Sequence, residues 1–332
     1  MSQHQAALLP AKFGKVEVGS RPTPTPEGKQ VLVRITSAAV NPVDWKIIDY
    51  GIFINDFPAV LGADGAGIIE ALGSEVAGFS KGDRVLFQGQ YIPDFGTYQQ
   101  YALVDSDAMA KTPDNITDDQ ASTIPSGATA ALMALFQKSG ISFPGGGPTA
   151  TGKPILILGG SSSVGQYAIQ LARIAGFAPI LTTASNAHTS LLKSLGATHI
   201  FDRNTEAKAI QAASSSPITF AVDTISIPST QALALEVLPP DSHLSLVLPL
   251  DESLKPKATE SKLMIHDVYG SSHAFKDMSI PMWQALNAWI SQGKIVPNDV
   301  QVVPGGLAGV PQALEMSKKG VSGVKLVVHP QE

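Results

Sequence analysis

The sequence predicts an α/β protein: a doubly wound parallel sheet beside a β-rich, barrel-like part. Two observations carry that expectation. From Pro154 onward, apolar strand-like runs alternate with helix-like stretches, the signature of parallel βαβ units. Before about residue 104, short apolar runs are separated by turn residues, as the strands of a small barrel are.

In chain order, Val31 to Val40 reads as a strand because it is rich in β-branched and apolar residues. Gly62 to Gly73 carries four glycines among small apolar residues, which predicts tight turns or close backbone packing. Asp83 to Gln88 is a further short strand, and Gly96 to Val104 partly alternates. Thr117 to Lys138 has an apolar helical stripe interrupted early by Pro125 and Gly127. Pro144 to Gly152 is a loop by composition, preferred here as an insertion within a domain over a linker.

Ile155 to Leu158 is then a continuous apolar run, as a buried parallel strand requires. Val164 to Ala175 is its helix. Pro179 to Thr183 and Ala187 to Leu195 repeat the unit, and His199 to Phe201, Ile218 to Val222, His243 to Leu248 and Met264 to Tyr269 extend it. A helix over Met282 to Ser291 and a strand over Lys325 to Val328 close the chain, with no internal repeat.

Length and composition bound the function. At roughly 150 residues per domain, 332 residues predict two domains. The 44% hydrophobic share supports a substantial core, and the 15% charged share argues against disorder. The net charge is −5 and no basic run stands out, so neither nucleic acid nor membrane is expected as a partner. The absence of cysteine removes disulfides, thiolate nucleophiles and Cys-based zinc sites. No signal peptide is read in Met1 to Pro10, and a cytoplasmic protein is expected.

Leu158-Gly159-Gly160-Ser161-Ser162-Ser163-Val164-Gly165 departs from strict G-x-G-x-x-G but stands where that turn belongs, after an apolar strand and before an amphipathic helix. Such a turn offers backbone N–H groups at a helix N-terminus, where the helix dipole favours a pyrophosphate. Serine hydroxyls add donors. An NAD site usually has an acid at the end of the second strand; here that strand runs into Thr183-Ala184-Ser185-Asn186. Ser185, Asn186 and His188, with Arg203 beyond the next strand, suit a 2′-phosphate, so NADPH is the expected cofactor. Helix capping is the alternative role for Ser185 and Asn186.

These residues, together with Asn41-Pro42-Val43-Asp44-Trp45-Lys46, Gly62-Ala63-Asp64-Gly65-Ala66-Gly67, Gly82-Asp83-Arg84-Val85, Gly96-Thr97-Tyr98, Gly127-Ala128-Thr129-Ala130, Leu195-Gly196-Ala197 and Val321 to Val327, resemble the medium-chain dehydrogenase/reductase superfamily. Within it they look like the zinc-independent quinone reductase and enoyl reductase branches, and most like fungal enoyl-reductase-like proteins that act in trans with polyketide synthases. The resemblance spans nearly the whole chain. It implies a Rossmann domain over about 123–274, and a GroES-like β-barrel catalytic domain from 1–122 and 275–332. Asn41 stands where zinc-dependent members carry a Cys ligand, and Ala63-Asp64 where they carry His-Glu, so no metal is expected. By the same resemblance Thr129 meets the nicotinamide amide, His188, Arg203 and Lys319 match 2′-phosphate positions, and the segments at Leu248 and Tyr269 approach the cofactor. Asn41 and Asp44 orient the cofactor or shape the pocket; capping a turn is the other role for Asp44.

The implied activity is NADPH-dependent hydride transfer to the activated C=C of an α,β-unsaturated carbonyl or enoyl thioester, free or carrier-linked, in a monomer or homodimer. Mitochondrial-type enoyl reductases use a Tyr where Phe53 stands, which argues against their mechanism here. The fungal branch has a lysine matched by Lys46, which would polarise a carbonyl or donate a proton through water; Tyr50 is a second donor. A surface pairing of Lys46 with Asp44 or Asp49, and wall packing of Tyr50, are the plain alternatives. An NADPH:quinone oxidoreductase on the same scaffold, and a cofactor-binding protein with little catalysis, remain as other functions.

Overall fold

The computed structural model describes residues 2–332, in two compact units. One comprises the chain up to Ser126, Ser279–Gly293 and Pro297–Glu332; the other comprises Gly127–Met278 and Lys294–Val296.

The first unit is β-rich. β1 (Gln3–Leu9) pairs antiparallel with β2 (Glu17–Pro22) and with β4 (Ala59–Val60). β3 (Gln30–Ala39) is the spine of a larger sheet. One of its edges pairs with β5 (Asp64–Leu72), which continues to β6 (Arg84–Gln88) and β8 (Met109–Lys111); its other edge takes β7 (Tyr101–Asp105). Val31, Val33 and Ile35 alternate into the core of this unit, as period-2 patterning requires. The glycine density around residue 65 has a packing cause. A Cβ on Gly67 would lie 2.1 Å from the Arg34 carbonyl oxygen, so only glycine lets β3 and β5 approach.

α1 (Pro42–Tyr50) follows β3 directly, started by Pro42 and closed by Gly51 at φ 60. The stretch read as one helix from Thr117 is three pieces: α2 (Asp118–Ser122), α3 (Pro125–Leu132) and a π-helical turn at Met133–Gln137. Thr117 and Gln120 form a capping box at α2, and Pro125 opens a new helix.

The second unit holds six parallel strands in the order β11 (His199–Phe201), β10 (Ile180–Thr183), β9 (Ile155–Leu158), β12 (Phe220–Asp223), β13 (His243–Leu246) and β14 (Met264–Asp267). The order reverses beside β9, which makes its carboxyl end the switch point of the sheet. α4 (Ser163–Ala175), α5 (Thr189–Leu195), α6 (Ala207–Ala212), α7 (Pro228–Val237) and α8 (Lys255–Ser261) connect these strands. Leu156, Leu158, Leu181, Leu244 and Leu246 form its core with Ala234 and Leu235.

α9 (Lys276–Ser291) begins before the expected Met282, with Pro281 inside it. Met282, Trp283 and Leu286 are buried on it, and this packing outweighs the backbone bond that proline removes. β15 (Asp299–Val302) pairs parallel with β16 (Val324–Val328), and β16 joins the end of β3 beyond β7. α10 (Val310–Lys319) lies between them in sequence. Among the described residues no helix is long and apolar enough to cross a membrane.

Candidate functional site

In the second unit the glycine-rich turn leaves β9 and enters α4. Gly159 has φ 80, a region only glycine adopts freely. A Cβ on Gly160 would lie 2.2 Å from the Thr182 hydroxyl, and one on Gly165 2.3 Å from the Gly159 carbonyl oxygen. The turn is therefore as tight as backbone contact allows. Ser162 is the N-cap of α4, its hydroxyl accepting from the Gly165 N–H at 2.9 Å. Thr224 Oγ1 lies 2.8 Å from the Leu158 carbonyl oxygen and 2.8 Å from Ser162 Oγ. With the Thr224 proton on a carbonyl, the Ser162 proton goes to Thr224. The Ser162 hydroxyl thus serves as the cap of α4 and bonds to Thr224. Ser161, Ser163 and Val164 stand at the helix start, and the Gly165 N–H is taken by the Ser162 hydroxyl.

Several of the other expected cofactor residues follow the carboxyl ends of the parallel strands: Ser185 and His188 after β10, Arg203 after β11, Leu248 after β13 and Tyr269 after β14. Ser185 starts the turn after β10 but makes no capping bond with its side chain, so the capping alternative fails for it. Asn186 and Arg203 are exposed; Ser185 and His188 are half-buried. Thr129 is fully buried on α3, its hydroxyl 3.2 Å from that of Ser272. Tyr269 and Leu248 are exposed after β14 and β13. A Cβ on Gly270 would lie 2.9 Å from the Ala130 side chain, so the chain after Tyr269 packs against α3 beside Thr129. Lys319 belongs to the first unit and pairs with Glu315 at 3.4 Å.

In the first unit the expected residues of α1 stand at the end of β3. Asn41 is the N-cap, and its backbone N–H donates to Asp44 Oδ2 at 2.8 Å. Tyr98 donates to the same oxygen at 2.7 Å and Tyr91 to Oδ1 at 3.0 Å. Asp44 is completely buried, and both its oxygens are used inside the unit. It caps α1, the other role expected for it, with its hydrogen-bond partners inside the unit. Burial pushes its carboxyl up to about 6, against the pull of these hydrogen bonds. Burial, then the Asp44 charge, pushes the Tyr98 phenol well above its usual value.

The Asn41 side chain turns the other way. Its Nδ2 donates to Asp64 Oδ2 at 2.9 Å, and its Oδ1 accepts from Lys325 Nζ at 2.5 Å. Lys325 Nζ lies 3.3 Å from Asp64 Oδ2, and Asp64 Oδ1 accepts the Ser126 N–H at 2.7 Å. The sheet explains the meeting. Asp64 pairs with Ala39 across β3 and β5, Val327 pairs with Ala39 across β3 and β16, and Val40 N–H donates to the Leu326 carbonyl. Asp64 and Lys325, like Tyr91 and Tyr98, were not among the expected site residues.

Lys46 is half-buried on α1, its ammonium 5.6 Å from the centre of the Trp45 ring. Burial lowers its pKa from the ordinary lysine value. Neither plain alternative holds for it, because Asp44 is enclosed and Asp49 pairs with Lys318 at 2.7 Å. Tyr50 is 61% exposed and meets Trp45 edge-on at 6.1 Å.

Residues 27–114 match the alcohol dehydrogenase GroES-like domain, and residues 163–283 match the zinc-binding dehydrogenase domain. The trans-enoyl reductase himH of Aspergillus japonicus is 34% identical over 98% of this chain and 97% of its own length. The chain belongs to the medium-chain dehydrogenase/reductase superfamily. The trans-enoyl reductase tndF of Aspergillus flavipes is 32% identical over 98% of this superfamily member and 99% of its own length. A crystal structure described as a putative zinc-dependent alcohol dehydrogenase from Rhizobium etli CFN 42 superposes with TM-score 0.86 at 24% identity, covering 99% and 98% of the two chains. This second likeness is one of fold: a Rossmann sheet with a GroES-like domain.

For this member of the superfamily the fold implies a nicotinamide cofactor, and the glycine cradle at the switch point fits a pyrophosphate. A catalytic zinc does not fit. It takes three protein ligands, with imidazole or thiolate among them. Asn41 supplies an amide whose oxygen is held by an ammonium, Ala63 supplies none, and the Asp64 carboxylate is already ion-paired.

Proposed function

We propose that this chain is an NADPH-dependent reductase that transfers a hydride to the activated C=C of an α,β-unsaturated carbonyl, enoyl thioesters included. One observation carries the reading from the side of the chemistry: the half-buried Lys46 ammonium lies over Trp45 instead of on Asp44 or Asp49. Its relatives at 34% and 32% identity are named trans-enoyl reductases.

The bound nicotinamide supplies the hydride. Hydride arrival at the β-carbon drives negative charge onto the carbonyl oxygen, which needs a donor, and the α-carbon then needs a proton. Lys46 is suited to the first task as a cation and to the second as an acid that burial makes readier to release its proton than an ordinary lysine. Tyr50, exposed at the end of α1, is the second donor. The choice of NADPH rests on the absence of a carboxylate from Thr183 to Asn186 and on the exposed Arg203 guanidinium.

The test is a panel of enones, enoyl thioesters and quinones, each with NADPH and with NADH. Alkene reduction with NADPH preferred is expected, with Arg203→Ala narrowing the cofactor preference. Lys46→Ala should lower kcat by about 10²-fold, the lower end of general acid–base contributions. Quinone turnover without alkene reduction, or tight NADPH binding with no turnover at all, overturns the reading.

A further inference from the structure

We propose that the Lys325 ammonium is a resident cation of the reductase site: seated on Asn41 and Asp64, it positions the start of α1 and keeps divalent metal out. The activity part of this inference rests on the reductase reading above; the metal part does not.

Lys325 is 5% exposed, Asn41 6% and Asp64 0%. A charge so placed is tolerated only when it is paired and hydrogen-bonded. Lys325 interrupts an otherwise apolar strand, Val324–Val328, to deliver its ammonium to the end of β3. There it meets the two side chains that stand at the positions of metal ligands in zinc-dependent members of the superfamily. It touches both, at 2.5 and 3.3 Å.

The charges fix the Asn41 amide. Its oxygen faces an ammonium, which can only donate, and its nitrogen faces a carboxylate, which accepts. A flipped amide would set donor against donor and acceptor against acceptor. Asn41 is also the N-cap of α1, and its N–H is bound to Asp44 in the first turn. Lys325 therefore acts on the helix that carries Lys46 and Tyr50 through Asn41, as a positioning residue. A divalent ion would have to displace the ammonium from both oxygens, and would meet like charge at contact distance if it did not.

The experiment compares the full-length chain with Lys325→Ala and with the paired neutral variant Asp64→Asn/Lys325→Met. Mn²⁺ is the probe, because the vacated ligands are oxygens; its binding is read by electron paramagnetic resonance. Wild type should leave Mn²⁺ free and keep its activity after chelator treatment. Lys325→Ala should bind Mn²⁺ at least about 10-fold more tightly than wild type and lose about 10-fold or more in kcat, with KM for NADPH unchanged. Ethylammonium or Mn²⁺ should restore part of that loss in Lys325→Ala, which a merely misfolded variant would not allow. The paired variant should bind no Mn²⁺, and its kcat should stay low without rescue.

Mn²⁺ binding by wild type as tight as by Lys325→Ala overturns the exclusion. Full activity of the paired variant, or a loss in natively folded Lys325→Ala that neither cation restores, overturns the positioning role. A wild type that reduces no alkene defeats the reductase reading alone, and the Mn²⁺ measurements still decide the metal part.

Discussion

Asp44 is a carboxyl that the fold makes costly to ionise. It is fully buried, and its three hydrogen bonds from Asn41, Tyr91 and Tyr98 only partly offset desolvation, which raises it to about 6. In the unfolded chain it titrates near 3.8. As pH rises, the unfolded state loses this proton first, so the folded state holds more protons between about pH 4 and 6. Stability from this group is thus full below pH 4 and is lost as pH rises through 6, by about 3 kcal/mol in total. Asp44→Asn keeps the size and stays neutral at every pH. The stability of wild type minus that of Asp44→Asn, from urea unfolding, should fall by about 3 kcal/mol between pH 4 and 7. A difference that stays flat over that range would mean that Asp44 titrates like an exposed acid. Nothing in the sequence announced this, since Asp44 takes its hydroxyl partners from a loop about fifty residues away.

At the scale of elements, the turn from β9 to α4 is the part that sequence reasoning read best. Its glycines are demanded by neighbours close in the chain or in the adjacent strand: Gly165 by the Gly159 carbonyl, Gly160 by Thr182. Ser162 was harder, because its partner Thr224 comes from the end of β12. Two substitutions separate these roles. Ser162→Ala removes a helix cap and should cost about 1 kcal/mol in unfolding experiments, while leaving NADPH affinity within a few-fold of wild type. Gly165→Ala forces the turn open; it should cost about 1–3 kcal/mol and sharply weaken NADPH binding measured by fluorescence titration. Equal effects of the two on affinity would return Ser162 to the phosphate. The buried trio at the end of β3 was legible only in part. Asp64 was noted as a departure from a zinc ligand, and Lys325 as one residue of a closing motif. Their contact with Asn41 depends on β5 and β16 both pairing at Ala39, a register no local pattern reveals. The one local hint was a lysine inside an apolar strand.

At the scale of the whole molecule, the first unit is assembled from segments far apart in the chain, so its stability depends on contacts that close over long separations. His329 makes one of them. Its Nε2 lies 2.9 Å from Asp119 on α2, and its Nδ1 lies 2.9 Å from Glu332. Nearby, Gln331 donates to the carbonyls of Ile35 on β3 and of Gln100, at 2.8 Å each. With a carboxylate at each ring nitrogen, the imidazolium is the form that satisfies both. Burial pulls the His329 pKa down, but the hydrogen bonds and charges of Glu332 and Asp119 outweigh it and raise the group above its ordinary value. A raised histidine contributes stability that is complete below its unfolded pKa and disappears as pH climbs through the folded one. His329→Gln should therefore lower the thermal midpoint most at pH 6 and progressively less toward pH 8.5. The ring is partly exposed, so salt should shrink the pH 6 effect as well. If the variant loses as much at pH 8.5 as at pH 6, the contact is one of shape and neutral hydrogen bonding, and charge plays no part in joining β16 to α2.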